Sequence, residues 1–278
     1  MRKMELRRMI AIASVLASLV CLCACGTGSA DQAPHGNEGK NTSGREETSG
    51  EGGDNENASA DATNAALFAR NTPAEEINCW GDSITQGYGS DGLSYPEVLE
   101  ELTGIPARNL GVGGEDSLEI MARSFAYGSQ KEDILVIQMG DNGGWRNLDE
   151  LIAQYRQMIS EAETDRYIII SSTDDPDDFE QIWGYTTKPV GMEDTRYEAA
   201  FREAFGEHLL IGRKYLVENG LAINGLEETE EDRRRAERGN ISLQLRNPEI
   251  DNTHLNEYGC IALAHGVYEL GIELGYWK

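Results

Sequence analysis

The chain has 278 residues, 39% of them apolar, with a formal net charge of −25 and a sequence pI near 4.4. So acidic a surface repels phosphate backbones and anionic headgroups, which makes nucleic acid a poor partner and suits a neutral or cationic substrate. The 5 cysteines and 4 histidines show neither metal-ligand spacing nor a disulfide framework, so no metal, no cofactor and no stapled scaffold are expected.

The first residues, 1–8, are basic, and residues 9–20 form a continuous apolar run. That length fits the h-region of a signal peptide and is too short for a membrane span. The run closes with Leu22-Cys23-Ala24-Cys25-Gly26, which resembles a bacterial lipobox. By that resemblance residues 1–24 are a lipoprotein signal peptide and Cys25 is the lipidated N-terminus of an exported protein, held on the outer face of the cell membrane. Cys23 is the poorer acceptor, because Leu22 would then precede the cut. An ordinary secretory signal is the alternative, and under it too the body is exported. Residues 25–66 are Gly, Ser, Asn, Glu, Asp and Thr with almost no large apolar side chain. Such a stretch buries too little surface to offset its ordering entropy and is expected to be a disordered tether. A flexible coil of about 40 residues spans on the order of 35 Å, enough to hold a body clear of a membrane.

The globular body is expected over residues 67–278. An apolar run at 77–80 predicts a strand that ends at Gly81, with Asp82 and Ser83 in the turn beyond it. Helical spacing follows at 95–102, stopped by Thr103-Gly104, and then a short strand at 107–110 leads into Gly111-Val112-Gly113-Gly114. A helix is predicted at 117–127 and an apolar strand at 134–139, which ends in Gly140-Asp141-Asn142-Gly143-Gly144. An amphipathic helix at 148–162 precedes a fourth strand at 167–170. Strands alternating with helices in this way predict an α/β sandwich on a parallel sheet, whose ligands bind beyond the carboxyl ends of the strands.

Residues 173–197 interrupt that rhythm. The segment is polar and acidic and carries Phe179, Trp183 and Tyr185. A loop this long in a compact domain is usually functional or disordered, and it is read here as an insertion walling the site. A fifth strand is expected near 208–211, a charged and solvated helix at 227–238, and a closing amphipathic helix at about 257–274. Cys79 and Cys260, on a predicted strand and a predicted helix, are expected to be free buried thiols.

Four blocks in order carry a resemblance: Gly81-Asp82-Ser83-Ile84-Thr85, Asn109 to Gly114, Gly140-Asp141-Asn142, and Asp251-Asn252-Thr253-His254. Each alone is common. Together, three of them at predicted strand ends and the fourth near the C-terminus, they resemble the SGNH (GDSL-type) hydrolase family across essentially the whole body. The resemblance implies a three-layer α/β/α sandwich with a central, mainly parallel sheet of the flavodoxin-like kind. It implies Ser83 as nucleophile, His254 as general base and Asp251 as the group that orients the imidazole. It also implies an oxyanion hole made of the backbone N–H groups of Ser83 and Gly114 and the side-chain amide of Asn142. Asp82 is expected to brace the turn, and Asn109 and Gly111 to shape the one that presents Gly114. The third block reads Gly-Asp-Asn-Gly where Gly-x-Asn-Asp is commoner, yet the asparagine is kept.

The function expected is a cofactor-free extracytoplasmic serine esterase acting on a short, acetyl-like O-acyl group, with a carbohydrate-borne ester as its substrate partner. A lysophospholipase or lipase is the alternative within the same chemistry, and an acyltransferase would use the same triad. From a different class, a non-catalytic surface binding module is the further alternative, opposed by the intact Ser83, Asp251 and His254.

Overall fold

The computed structural model describes residues 74–177 and 190–278. The leader, the tether, Cys25 and the insertion's Phe179, Trp183 and Tyr185 lie outside those residues.

Strand β1 (Ile77–Gly81) runs into a one-turn helix, α1 (Ser83–Gln86), followed by α2 (Tyr95–Thr103). Strand β2 (Ala107–Gly111), helix α3 (Ser117–Tyr127), strand β3 (Ile134–Gln138) and helix α4 (Leu148–Ala162) come next. Strand β4 (Tyr167–Ile170) precedes α5 (Arg196–Phe205), the two-residue β5 (Leu209–Leu210), α6 (Gly212–Ile223), α7 (Glu230–Arg238) and α8 (Glu257–Glu273). The helix starts are written in the sequence. Asp116, Asn147, Thr195 and Asn256 each accept a backbone N–H of the first turn they precede, satisfying donors that a helix end leaves open.

All five strands pair in parallel, in the order β2-β1-β3-β4-β5. Alternate residues of a strand face opposite sides of its sheet, and the apolar side chains divide accordingly. Ile77, Cys79, Ile134, Val136, Ile168 and Ile170 pack with Val98 and Leu99 of α2, Leu216 of α6, and Ile261 and Leu263 of α8. Trp80, Leu135, Ile137 and Ile169 pack on the other face with Ile120 of α3, Tyr155 and Met158 of α4, and Phe201 of α5. The result is the three-layer α/β/α sandwich. Helix α8 is buried almost all round because it is wedged against both α2 and α6. Cys79 and Cys260 are buried and free, and burial pushes the Cys260 thiol up to about 12.

The order of strands fixes where the site falls. The chain leaves β1 for β2 on one side and enters β3 on the other, so the topological switch point lies between β1 and β3. The turn carrying Ser83 sits there.

One expectation needs correcting. Helix α7 starts at Glu230 and not at Glu227, because Thr229 accepts the Asp232 N–H at 3.2 Å while Asp232 takes the Thr229 N–H at 2.8 Å. Nor is it only a solvated face. Asp232 is buried under Ser242 and Gln244, which donate to it at 2.5 and 2.8 Å, and Arg235 donates to the Ile241 carbonyl at 2.7 Å.

Candidate active site

The site begins with a glycine that nothing larger could replace. A Cβ on Gly81 would lie 2.1 Å from Thr85 Oγ1 and 2.4 Å from the Gln138 carbonyl oxygen. The chain can therefore turn tightly off β1 against β3. Asp82 caps the turn, its Oδ1 accepting the Ile84 N–H at 3.0 Å. Gly87 closes it at φ +82°. Ser83 is left at the first helical position, half-buried, with its hydroxyl above the sheet edge.

The partner arrives from the other end of the chain. Residues 247–256 form a loop held at its base by a bridge between Arg246 and Leu255. Asn247 ties it to the nucleophile side, donating through Nδ2 to the Gly89 carbonyl at 2.7 Å and through its N–H to the His254 carbonyl at 3.0 Å. His254 Nε2 lies 2.9 Å from Ser83 Oγ, and its Nδ1 lies 2.7 Å from Asp251 Oδ2. The other oxygen of Asp251 accepts the N–H groups of Thr253 and His254 at 2.9 and 2.8 Å. Burial opposes the charge on Asp251, yet these two N–H groups and the His254 ring outweigh it and hold the carboxyl below its ordinary range. With a carboxylate fixed on Nδ1, that nitrogen carries the proton, and Nε2 is free to accept one from Ser83. The Tyr88 ring meets the imidazole edge-on, with centroids 4.8 Å apart.

The second and third blocks close in from the neighbouring strands. Asn109 donates to the Gln86 carbonyl at 3.3 Å and accepts the Gly111 N–H at 3.0 Å, stitching the end of β2 to α1. Gln86 in turn accepts the Gly113 N–H at 3.0 Å, and a Cβ on Gly113 would come within 3.6 Å of Ser83 Cβ. Gly114 follows at φ +84°. Asn142 donates through Nδ2 to the Glu115 carbonyl at 2.9 Å, so it is anchored to the loop that carries Gly113 and Gly114. An amide nitrogen has two hydrogens, so one remains for another acceptor.

Behind the turn lies a group of acids. Asp82, Asp141 and Asp174 stand at the ends of β1, β3 and β4, and burial pushes each up to about 7, with their mutual charges adding to the shift. Asp141 is held by Gln138 Nε2 at 2.8 Å and by Ser172, and Asp174 bonds the Thr253 side chain in the histidine loop. Among the described residues no group of acids, histidines and cysteines has the arrangement to hold a metal ion.

Several contributors carried no signal in the sequence. Arg246 is fully buried and braces the histidine loop through the Thr253 carbonyl, while reaching Thr173 O at 2.7 Å and Asp175 Oδ1 at 3.0 Å. Arg213 does the same for the described end of the insertion, binding Glu198 at 2.7 and 2.8 Å and the carbonyls of Gly191 and Glu193 at 2.9 and 3.0 Å. Both arginines pair with groups far away in sequence, so no local pattern marks them. A tyrosine five residues after the candidate serine, Tyr88, is likewise unremarkable until the fold brings it to His254.

The GDSL-like lipase/acylhydrolase family model matches residues 79–247. The match takes in Ser83, Gly114 and Asn142 and stops short of Asp251 and His254, whose placement rests on the geometry above. No curated protein matches the sequence. Among solved structures, the YXIM protein of Bacillus subtilis has a TM-score of 0.50 at 17% identity, over 73% of this chain and 58% of that one. The protein TesA gives 0.47 at 18% identity, over 72% of this chain and 99% of its own. A protein assigned to the lipolytic G-D-S-L family from Desulfitobacterium hafniense gives 0.46 at 15% identity, over 70% and 99%. At 17% identity the likeness to the Bacillus subtilis protein speaks for the fold alone.

Proposed function

From the premise that the chain belongs to the GDSL-like lipase/acylhydrolase family and is a serine ester hydrolase, we propose that Ser83, His254 and Asp251 are its catalytic triad. We further read it as an exported esterase, anchored through Cys25, that removes a short acyl group from a carbohydrate. One observation carries the catalytic assignment: the unbroken line from Ser83 Oγ to His254 Nε2 at 2.9 Å and from His254 Nδ1 to Asp251 at 2.7 Å.

The chemistry follows from that line. His254 Nε2 takes the Ser83 proton as Oγ attacks the ester carbonyl, and Asp251 stabilises the imidazolium that forms. The negative oxygen of the tetrahedral intermediate is met by the first-turn N–H of Ser83, the Gly114 N–H and the second hydrogen of Asn142 Nδ2. Collapse breaks the bond to the alcohol, which leaves with the proton returned by His254. Water then attacks the acyl-Ser83 ester by the same steps in reverse order and frees the acid. The acidic surface and the polar side chains around Asn142 support a small hydrophilic ester.

A second reading has an observation of its own. Tyr88, Val112 and Ile250 are exposed large apolar residues, and each lies on a loop that carries a triad or oxyanion group. That rim would also receive a longer acyl chain, as a lipase requires.

Turnover of p-nitrophenyl esters from acetyl to dodecanoyl separates the two, with Ser83→Ala as control. Loss of the serine hydroxyl should lower kcat by at least about 10⁴-fold, by analogy with other serine hydrolases. Rates that fall with chain length support the short-acyl reading, rates that rise support the lipase, and full activity in Ser83→Ala sinks the triad.

A further inference from the structure

A cavity of about 270 Å³ opens beside Asn142, between the first turns of α3 and α4. Sites for drug-sized ligands run from about 300 to 1,000 Å³, so this one has room for a single ring and not for a long chain. We propose that it is a subsite for one neutral, hydroxyl-rich ring, the sugar portion of the ester, with Gln154 as the group that reads a hydroxyl. The inference rests on the ester-hydrolase reading above and names the substrate class for that site.

Gln154 is the first reason. It lines the cavity from the middle of α4, is only 5% exposed, and its buried Oε1 has no hydrogen-bond partner. Buried side-chain amides almost always have one, so Gln154, whose side chain lines the cavity and whose oxygen is enclosed without a partner, has hydrogen-bonding capacity left unused. A half-turn of the amide exchanges its oxygen and nitrogen, so it can serve a hydroxyl as acceptor or as donor.

The second reason is what the walls refuse. Two helix N-termini meeting at a cavity would ordinarily suit an anion. Here three of those amides are already taken. Asp116 accepts the N–H groups of Leu118 and Glu119 at 2.9 and 3.0 Å, and Asn147 accepts that of Glu150 at 3.3 Å. Asp116 and Glu150 also bring two negative charges to the lining, against the single positive charge of Arg146. A phosphate or carboxylate is thus repelled, and an acyl tail would strand the polar lining without partners.

The third reason is what the walls offer. Carboxylates at Asp116 and Glu150 accept from hydroxyls, and the Arg146 guanidinium, which lies over the Trp145 ring at 5.1 Å, donates to them. Neighbouring hydroxyls on a sugar ring present both donors and acceptors, whereas a hydrocarbon presents neither. Position completes the case. Asn142 lines the cavity and is bonded to the Glu115 carbonyl, on the loop where a Cβ added to Gly113 would lie 3.6 Å from Ser83 Cβ, so the cavity adjoins the Asn142 side of the site.

The test compares two esters on the full chain: methyl glucoside monoacetate, whose ring carries free hydroxyls, and p-nitrophenyl acetate, whose ring carries none. In Gln154→Leu and in Glu150→Ala the ratio of kcat/KM for the sugar ester to that for p-nitrophenyl acetate should fall about tenfold, through KM. A ratio unchanged in both variants, with turnover intact, overturns the subsite and leaves the esterase standing. Should the unaltered chain turn over neither ester, the hydrolase reading fails, and calorimetric titration of the Ser83→Ala chain with methyl glucoside decides. Saturable binding weakened by Gln154→Leu sustains the subsite, and absence of binding overturns it.

Discussion

Asp251 and Asp141 stand at the same edge of one sheet, and their surroundings drive them in opposite directions. Asp251 is 40% exposed at its side chain, receives two backbone N–H groups and an imidazole, and is held below the usual carboxylate range. Asp141 is partly buried, lies near the charges of Asp82 and Asp174, and is pushed up to about 7 by desolvation and those charges. The acid held low is the one proposed for the triad, and the acids pushed up stand at the strand ends beneath it. Residue type alone does not decide which is which; burial, the charge of neighbouring acids and the donors reaching each carboxyl do.

The difference can be broken at either acid. Asp251→Asn keeps the size of the side chain and removes the charge that fixes the imidazole tautomer. It should lower kcat by about 10⁴-fold while the melting temperature stays close to that of the unaltered chain. A loss of tenfold or less would show that another group orients His254. Arg246→Met attacks the support instead. It leaves the buried Asp175 with Arg235 as its remaining arginine partner and takes the donors from the Thr173 and Thr253 carbonyls, and it should cost up to about 3 kcal/mol of stability, read by denaturant unfolding.

Smaller changes sharpen the contrast. Asn142→Ala removes one candidate oxyanion donor and should cut kcat by about 10²–10³ with little change in KM. Asp141→Asn should act on stability through pH. The folded protein keeps a proton on the Asp141 group up to about pH 7, while the unfolded chain releases it near the ordinary carboxylate value. Stability therefore falls as pH rises between those two values, and the window belongs to the three acids together. The variant should flatten that fall and melt a few degrees higher near pH 8. A lower melting temperature there would mean that the charge on Asp141 is tolerated after all.

Much of this could be expected from the sequence because the signals are local. A strand that stops at Gly81 and caps the next turn with Asp82 lies within six residues, and Asp251 precedes His254 by three. The alternation of apolar strands with capped helices carries the sandwich in the same way. What stayed hidden is non-local. Arg246 meets Asp175 across 71 residues, and Gln154 looks like any polar position on an amphipathic helix until the cavity opens beside it. The inward turn of Asp232 and Arg235 was concealed by the charge run around them, since a helix of alternating acids and arginines reads as solvated.

Ser83 and His254 are 171 residues apart, and the bond from Asn247 to Gly89 that aligns them spans 158. During synthesis the proposed nucleophile therefore emerges long before the proposed base. A nascent or truncated chain that ends before residue 254 has a serine with nothing to take its proton, whatever else of the sheet has formed. The helix that locks the histidine loop from below, α8, comes later still. With the proposed triad, activity serves as a report that the whole body has been made and folded.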